Sequence, residues 1–184
     1  MTSTRKLTYG RNANQTLVNN IIEHSSSIRF DCFQDEDLLT FVDTSGGPYP
    51  VQCAIVILFG AYVCGRVSKL DSPTLSVCEA EWFGATTGAT ALLAIDPIME
   101  FMNVKHGKPM TIFCDNKAAC MLSNSNHTTK RMKHVAVRLA FLQAQVNEGQ
   151  VKLIHIDTQG NLADIGTKPL CTRQHHALCA LMWS

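Results

Sequence analysis

Val151 to Leu170 read VKLIHIDTQGNLADIGTKPL, a strand signal followed at once by a helix signal. The opening V-K-L-I-H-I is dominated by β-branched and aliphatic residues, bounded by Gly149 on one side and by Asp157, Thr158 and Gly160 on the other, so it reads as a short buried strand. Asn161 then suits the N-cap of a helix starting at Leu162. Asp164 falls in the first turn of that helix, where a carboxylate sits well against the helix dipole and points across the end of the strand.

Upstream, Leu38 to Val42, Cys53 to Leu58 and Ala61 to Val67 are rich in β-branched or large apolar residues, and the Phe59-Gly60 junction allows only a tight antiparallel turn. They predict a three-stranded meander. From Ser76 the period changes: Cys78, Trp82, Ala85, Ala89 and Leu92 or Leu93 recur at helical spacing, predicting a helix over 76 to 95 that Pro97 stops or kinks. Met110 to Cys114 is a fourth strand, ending at Asp115-Asn116, where a helix over Lys117 to Leu122 begins. A polar loop leads to a longer helix, Lys130 to Val146, which Gly149 caps before the opening strand. After Pro169 a last helix runs from Arg173 to Trp183. Three antiparallel strands extended by two parallel ones, with crossover helices on both faces, is a mixed α/β architecture.

At 184 residues with 46% hydrophobic content, the chain has the size and composition of one globular domain. Residues 1–13 lack periodicity and read as disordered; 14–30 holds a short amphipathic helix that reads as the end of something else; 31–184 is the domain. No apolar run reaches the length of about 18 residues that a membrane span needs. The cysteines form no C-x-x-C pair and mostly sit in apolar runs, which predicts reduced core thiols in an intracellular protein. His175 and His176 near Cys171 and Cys179 are in the wrong order for a zinc finger.

The net charge of +1 excludes a polyanion-binding chain overall, but its distribution is uneven. Between Asp115 and Glu148 there is no acid, only Lys117, Lys130, Arg131, Lys133 and Arg138, so this region can attract a polyanion.

Asp43 ends the first strand, Asp115 the fourth, Asp164 opens a helix, and Glu81 lies in the first turns of the long helix. If the first and fourth strands are parallel neighbours, the two aspartates share one sheet edge and the helices bring the other acids over them. Four such carboxylates would not all ionise without a neutralising cation. Hard oxygen ligands suit Mg²⁺ or Mn²⁺, and two such ions form the usual clamp for phosphodiester hydrolysis. Taken singly, each aspartate is as well explained as a turn former or helix cap.

The segments SVCEAEWFGA, FCDNKAA, KRMKHVAVRLAFL and NLADIGTKPL resemble, in order and spacing, four boxes of the ribonuclease H domain of copia-type (Pseudoviridae) retrotransposon Pol polyproteins, over roughly residues 30 to 184. The resemblance implies a ribonuclease H-like fold and two-metal endonucleolytic cleavage of the RNA strand of RNA–DNA hybrids, with two Mg²⁺ ions and Mn²⁺ as substitute. It implies Asp43, Glu81, Asp115 and Asp164 as catalytic, metal-binding carboxylates, with Glu79 the competitor for the helix acid. Glu81 is preferred because it directly precedes a large apolar residue, Trp82. It further implies an attached reverse transcriptase, whose end the 14–30 helix would represent, no small-molecule cofactor, no membrane, and a cytoplasmic retrotransposon particle as location. Two departures stand out: DTSGGPYP replaces the D-A-D-W segment and shortens a connection, and Gly166 stands where the family has Phe or Leu. A catalytically inactive remnant that binds nucleic acid or serves structure is the alternative.

Beside that site, Lys130, Arg131, Lys133 and His134 read either as a solvated helix face or as a clamp for the hybrid's phosphates, which would give affinity with little sequence preference. Asn116 and Ser45 are candidates for contacts to the 2′-hydroxyl. His155 fits a core strand histidine, with a proton shuttle near the leaving group as the alternative.

Overall fold

The computed structural model describes residues 38–71, 73–74, 76–124 and 136–182. The expectations for 1–30 and the basic cluster Lys130, Arg131, Lys133 and His134 lie outside these residues.

The strands are β1 (Leu38–Thr44), β2 (Val51–Leu58), β3 (Ala61–Lys69), β4 (Met110–Cys114) and β5 (Val151–His155). The helices are α1 (Val77–Phe101), α2 (Lys117–Ser123), α3 (Ala136–Asn147), the single turn α4 (Asp164–Thr167) and α5 (Thr172–Met182). The five-stranded sheet has the order β3-β2-β1-β4-β5. β1 pairs antiparallel with β2 and parallel with β4, and β4 pairs parallel with β5. The mixed sheet expected from the periodicities is therefore present, and β1 and β4 are parallel neighbours.

Strand side chains alternate between faces, so each central strand feeds two cores. On one face Leu38, Val42, Val56, Ile112 and Leu153 pack under α1, α2 and α3, meeting Trp82, Ala85, Ala89, Leu92, Leu139 and Leu142. On the other, Leu39, Phe41, Ile55 and Ile57 pack under the last part of the chain, against Leu162, Ala163 and Leu178. Each large side chain buried in these layers contributes about 1.5–3 kcal/mol.

Four expectations change. The long helix runs through Pro97 to Phe101. Proline removes one intrahelical donor, but Pro97 and its neighbours Ala94 and Ile98 are exposed, so water can satisfy the freed carbonyl. The helix after Asn161 starts at Asp164 instead of Leu162, with Ala163 in the N-cap place and no side-chain cap. His155 is exposed, not in the core: it is the last residue of β5, beyond the buried Val151 and Leu153 of the same strand. The described cysteines are free thiols; Cys53, Cys114 and Cys120 are buried, whereas Cys64 on edge strand β3 and Cys171 ahead of α5 are exposed.

Candidate metal centre

Parallel pairing of β1 with β4 runs to Val42 opposite Cys114, so the next residues, Asp43 and Asp115, leave the same end of the sheet side by side. Asp43 shares its face with Leu39 and Phe41, and Asp115 shares its own with Phe113, which is the face that α4 covers. The chain after β5 is fastened there. Ile156 N–H donates to Cys114 O (3.0 Å), and the buried Asn161 side chain donates to Val42 O (2.9 Å) while its Oδ1 accepts from Ala163 N (3.2 Å). Asn161 thus acts as a cross-chain tie and local turn former, and the turn it sets delivers Asp164.

The result is that carboxylate oxygens of Asp43, Asp115 and Asp164 lie within 4.8 Å of one another. Asp43 and Asp164 are buried; Asp115 is partly exposed. Thr158 Oγ1 donates to Asp115 Oδ2 (3.1 Å), and Thr167 Oγ1 donates to Asp43 Oδ2. One oxygen, Asp164 Oδ2, is buried without any hydrogen-bond partner. A buried carboxylate oxygen without a partner, on one of three clustered aspartates, is what a hard divalent cation fits.

Glu81 reaches the same sheet end from the opposite face, on α1. Ser76 caps that helix, its hydroxyl accepting from Glu79 N (3.0 Å), which puts Glu79 in the capping turn and Glu81 half a turn further on. Glu81, Cys114 and Asp115 form a second group within 4.8 Å, so Asp115 belongs to both. The Cys114 thiol donates to Glu81 Oε2 (3.6 Å). Helix α1 comes this close because Gly84 and Gly88 face β1: a Cβ on Gly84 would stand 2.7 Å from Thr44 Oγ1, and one on Gly88 2.6 Å from Val42 Cγ1.

Burial, then the neighbouring Cys114, Asp43 and Asp115, push the Glu81 carboxyl up to about 10. Asp164 is raised to about 6, chiefly by burial and further by Asp43 and Asp115, with Lys168 acting in the opposite direction. Both carboxyls hold protons more tightly than usual and would yield them to a cation placed between them.

A residue that sequence reasoning did not assign completes the site. Lys168 Nζ lies 2.7 Å from Asp164 Oδ1, 3.2 Å from Asp43 Oδ1 and 3.3 Å from Asp115 Oδ2. Burial opposes its charge, but the bond to Asp164 and the charges of Asp43, Asp115 and Asp164 raise its pKa overall. The signal was available, since Asp164 and Lys168 stand four residues apart on one helical turn.

The two departures from the copia-type pattern also have local explanations. Ser45 closes the short β1–β2 connection, its N–H donating to Val51 O (2.8 Å) and its Oγ accepting from Val51 N (2.9 Å), so Asp43 stays in register opposite Cys53. Gly166 leaves no gap: a Cβ there would lie 2.6 Å from Cys53 Sγ and 2.8 Å from Val67 Cγ2, so β2 and β3 fill the space. Asn116 uses its side-chain oxygen to cap α2, accepting from Ala119 N (3.0 Å), and His155 is exposed at the carboxylate end of the sheet.

No protein-family model matches the chain. It is 32% identical over 95 residues to the Retrovirus-related Pol polyprotein from transposon RE1 of Arabidopsis thaliana, covering 52% of this chain and 6% of that polyprotein. It is 30% identical over 113 residues to the corresponding polyprotein from transposon TNT 1-94 of Nicotiana tabacum, covering 61% of this chain and 8% of the relative. The N-terminal RNase H domain of Rv2228c from Mycobacterium tuberculosis superposes with a TM-score of 0.53 at 13% identity, over 80% of this chain and 97% of that one. LC11-RNase H1, isolated from compost, matches with a TM-score of 0.53 at 11% identity over 72% and 93% of the two chains. The resemblance to copia-type polyproteins and the ribonuclease H-like fold read from the sequence are thereby borne out.

Proposed function

We propose that this chain, a ribonuclease H-like fold related to transposon Pol polyproteins, is the ribonuclease H of a copia-type element and cleaves the RNA strand of RNA–DNA hybrids during reverse transcription. The observation that carries this reading is the convergence of Asp43, Asp115 and Asp164, with the orphaned Asp164 Oδ2 among them.

In this reading Asp43, Asp115, Asp164 and Glu81 hold two divalent cations, Mg²⁺ by preference and Mn²⁺ as substitute. When bound, these ions supply Lewis-acid activation of water and neutralise charge at the scissile phosphate. The shared position of Asp115 in both acidic groups supports two adjacent subsites. Thr158 and Thr167 orient the carboxylates of Asp115 and Asp43. His155, exposed at the same sheet end, would in this reading carry a proton to the leaving oxygen. In this reading Lys130, Arg131, Lys133 and His134 would hold backbone phosphates, and Asn116, next to Asp115, would contact the 2′-hydroxyl.

The partner is a hybrid duplex, presented by the reverse transcriptase of the same polyprotein, in a cytoplasmic particle. The reverse transcriptase itself is a proposal, since the chain spans 6% of the RE1 polyprotein. A solved complex of LC11-RNase H1 with an RNA/DNA hybrid, TM-score 0.51 and 11% identical, supports the choice of ligand class. No helix among the described residues is long and apolar enough to cross a membrane. The inactive-remnant alternative gains no support, because the fold and the acids are both retained.

The test is incubation of the full chain with a labelled hybrid duplex, with Mg²⁺ or with EDTA, beside Glu81→Gln. Cleavage of the RNA strand that needs Mg²⁺ and disappears in the variant is expected. Binding of the hybrid without any cutting in Mg²⁺ or Mn²⁺ would return the chain to the remnant reading.

A further inference from the structure

Lys168 contacts all three aspartates that the metal reading needs. Its ammonium touches Asp43, Asp115 and Asp164 at 2.7 to 3.3 Å, one oxygen from each. The same three carboxylates each offer an oxygen to a group whose members lie within 4.8 Å of one another, where a divalent ion would bond each ligand at about 2.0–2.6 Å. The two cations cannot share that space. The geometry points to Lys168 as a built-in counter-ion that competes with divalent metal and must swing aside for it to enter. This inference rests on the metal-site reading above.

Three features fit a displaceable cation. The lysine side chain is 34% exposed, so one flank opens to solvent while its head is held by the buried Asp43 and Asp164 and the partly exposed Asp115. Its stem is a flexible four-carbon chain carrying a compact point charge, able to relocate without moving the backbone. The backbone is itself anchored, with Lys168 N–H donating to Asp164 O (3.0 Å), so the ammonium moves about a fixed root beside the site. In its inner position it balances carboxylates that would otherwise repel one another, which keeps them converged. Divalent metal then has to displace a tethered competitor, and its apparent affinity is lowered by the fraction of molecules in which Lys168 is inside.

The experiment titrates the full chain with Mn²⁺, counting free ion by electron paramagnetic resonance, for wild type, Lys168→Met and Asp115→Asn. Lys168→Met is expected to bind Mn²⁺ at least about tenfold more tightly than wild type, with Asp115→Asn abolishing binding. Equal or weaker binding by Lys168→Met, with wild type still binding at an Asp115-dependent site, overturns the competition alone. Absence of Mn²⁺ binding in both wild type and Lys168→Met overturns the metal-site reading and this inference together. Because Lys168→Met loses its counter-ion and can fail to fold, a second measurement uses wild type only. Lysine acylation is followed by peptide mass spectrometry with and without Mg²⁺, with exposed Lys152 as internal reference. A several-fold rise in Lys168 labelling on adding Mg²⁺ supports displacement, and an unchanged Lys168-to-Lys152 ratio at saturating metal overturns it.

Discussion

Asn161 reaches across 119 positions of sequence to donate its side-chain amide to the main-chain carbonyl of Val42, at 2.9 Å, in a fully buried setting. That bond fastens the turn before Asp164 to the strand that carries Asp43. Asn161→Ala leaves a buried carbonyl unpaired, and a cost of about 1–3 kcal/mol is expected. Urea denaturation measures it. An unchanged midpoint would mean that the carbonyl finds another partner and that the tie is dispensable.

Gly84 and Gly88 set how near α1 lies to β1. Alanine raises helix propensity by about 0.8–1.0 kcal/mol, but overpacking costs about 1–3 kcal/mol, and steric conflict wins where a Cβ would stand 2.6 Å from Val42 Cγ1. Gly88→Ala should therefore lower the melting temperature. Gly84→Ala pushes directly beside Thr44 and the Asp43 backbone and should also lower hybrid cleavage, by moving Glu81. A Gly84→Ala protein that cleaves at the wild-type rate would show that the spacing is not demanding.

Gly166 faces Cys53 and Val67. Gly166→Leu, which restores the residue type of the family pattern, should destabilise this chain, and adding Val67→Ala should recover part of the loss. A double-mutant cycle reads the coupling, which ought to reach about 0.5–3 kcal/mol for residues in contact. Strict additivity would remove the packing explanation.

Asp96, near the end of α1, accepts from Lys108 Nζ and pairs with His106 Nε2, both at 2.8 Å. Burial raises its pKa, but the bonds and charges of Lys108 and His106 outweigh that and leave it below its ordinary 3.8. A lowered folded-state value means that the folded chain binds fewer protons than the unfolded one in this range. The Asp96 contribution is thus complete above about pH 3.8 and lost as pH falls through the lower folded value. Asp96→Asn should be less stable than wild type at pH 7, by about 1.5–3 kcal/mol. The gap should narrow as pH falls below about 3.8, as chemical denaturation at each pH would report. A gap independent of pH would assign the loss to packing.

Asp115 belongs to both acidic groups, so Asp115→Asn should reduce cleavage by at least about 10²-fold while hybrid binding, measured by fluorescence anisotropy, is kept. Retained cleavage would contradict its assignment as a ligand.

Much of this arrangement was legible because strands and helices write their periods into sequence. The apolar runs of β1 and β4 marked Asp43 and Asp115 as end positions, and parallel adjacency then made them neighbours. What local patterns do not carry was missed. Pro97 reads as a helix stop, but whether water can reach a freed carbonyl depends on the face the helix turns outward. His155 looked internal because its neighbours are aliphatic, yet it stands at the last position of β5, where the covering layer has ended. Lys168 sat in a box whose letters marked lineage, and its chemistry emerged only when three acids from separate elements closed around it.

The meander β1-β2-β3 is contiguous in the chain, but β4 inserts beside β1 from beyond α1, and the Asp164 turn arrives only after β5. Such long-range closures lag behind local ones as a polypeptide leaves the ribosome. A nascent product that stops ahead of Asp164 can own the whole sheet and still lack the converged acids. On the ribonuclease H proposal, the strands are therefore synthesised before the turn that completes the proposed cutting centre.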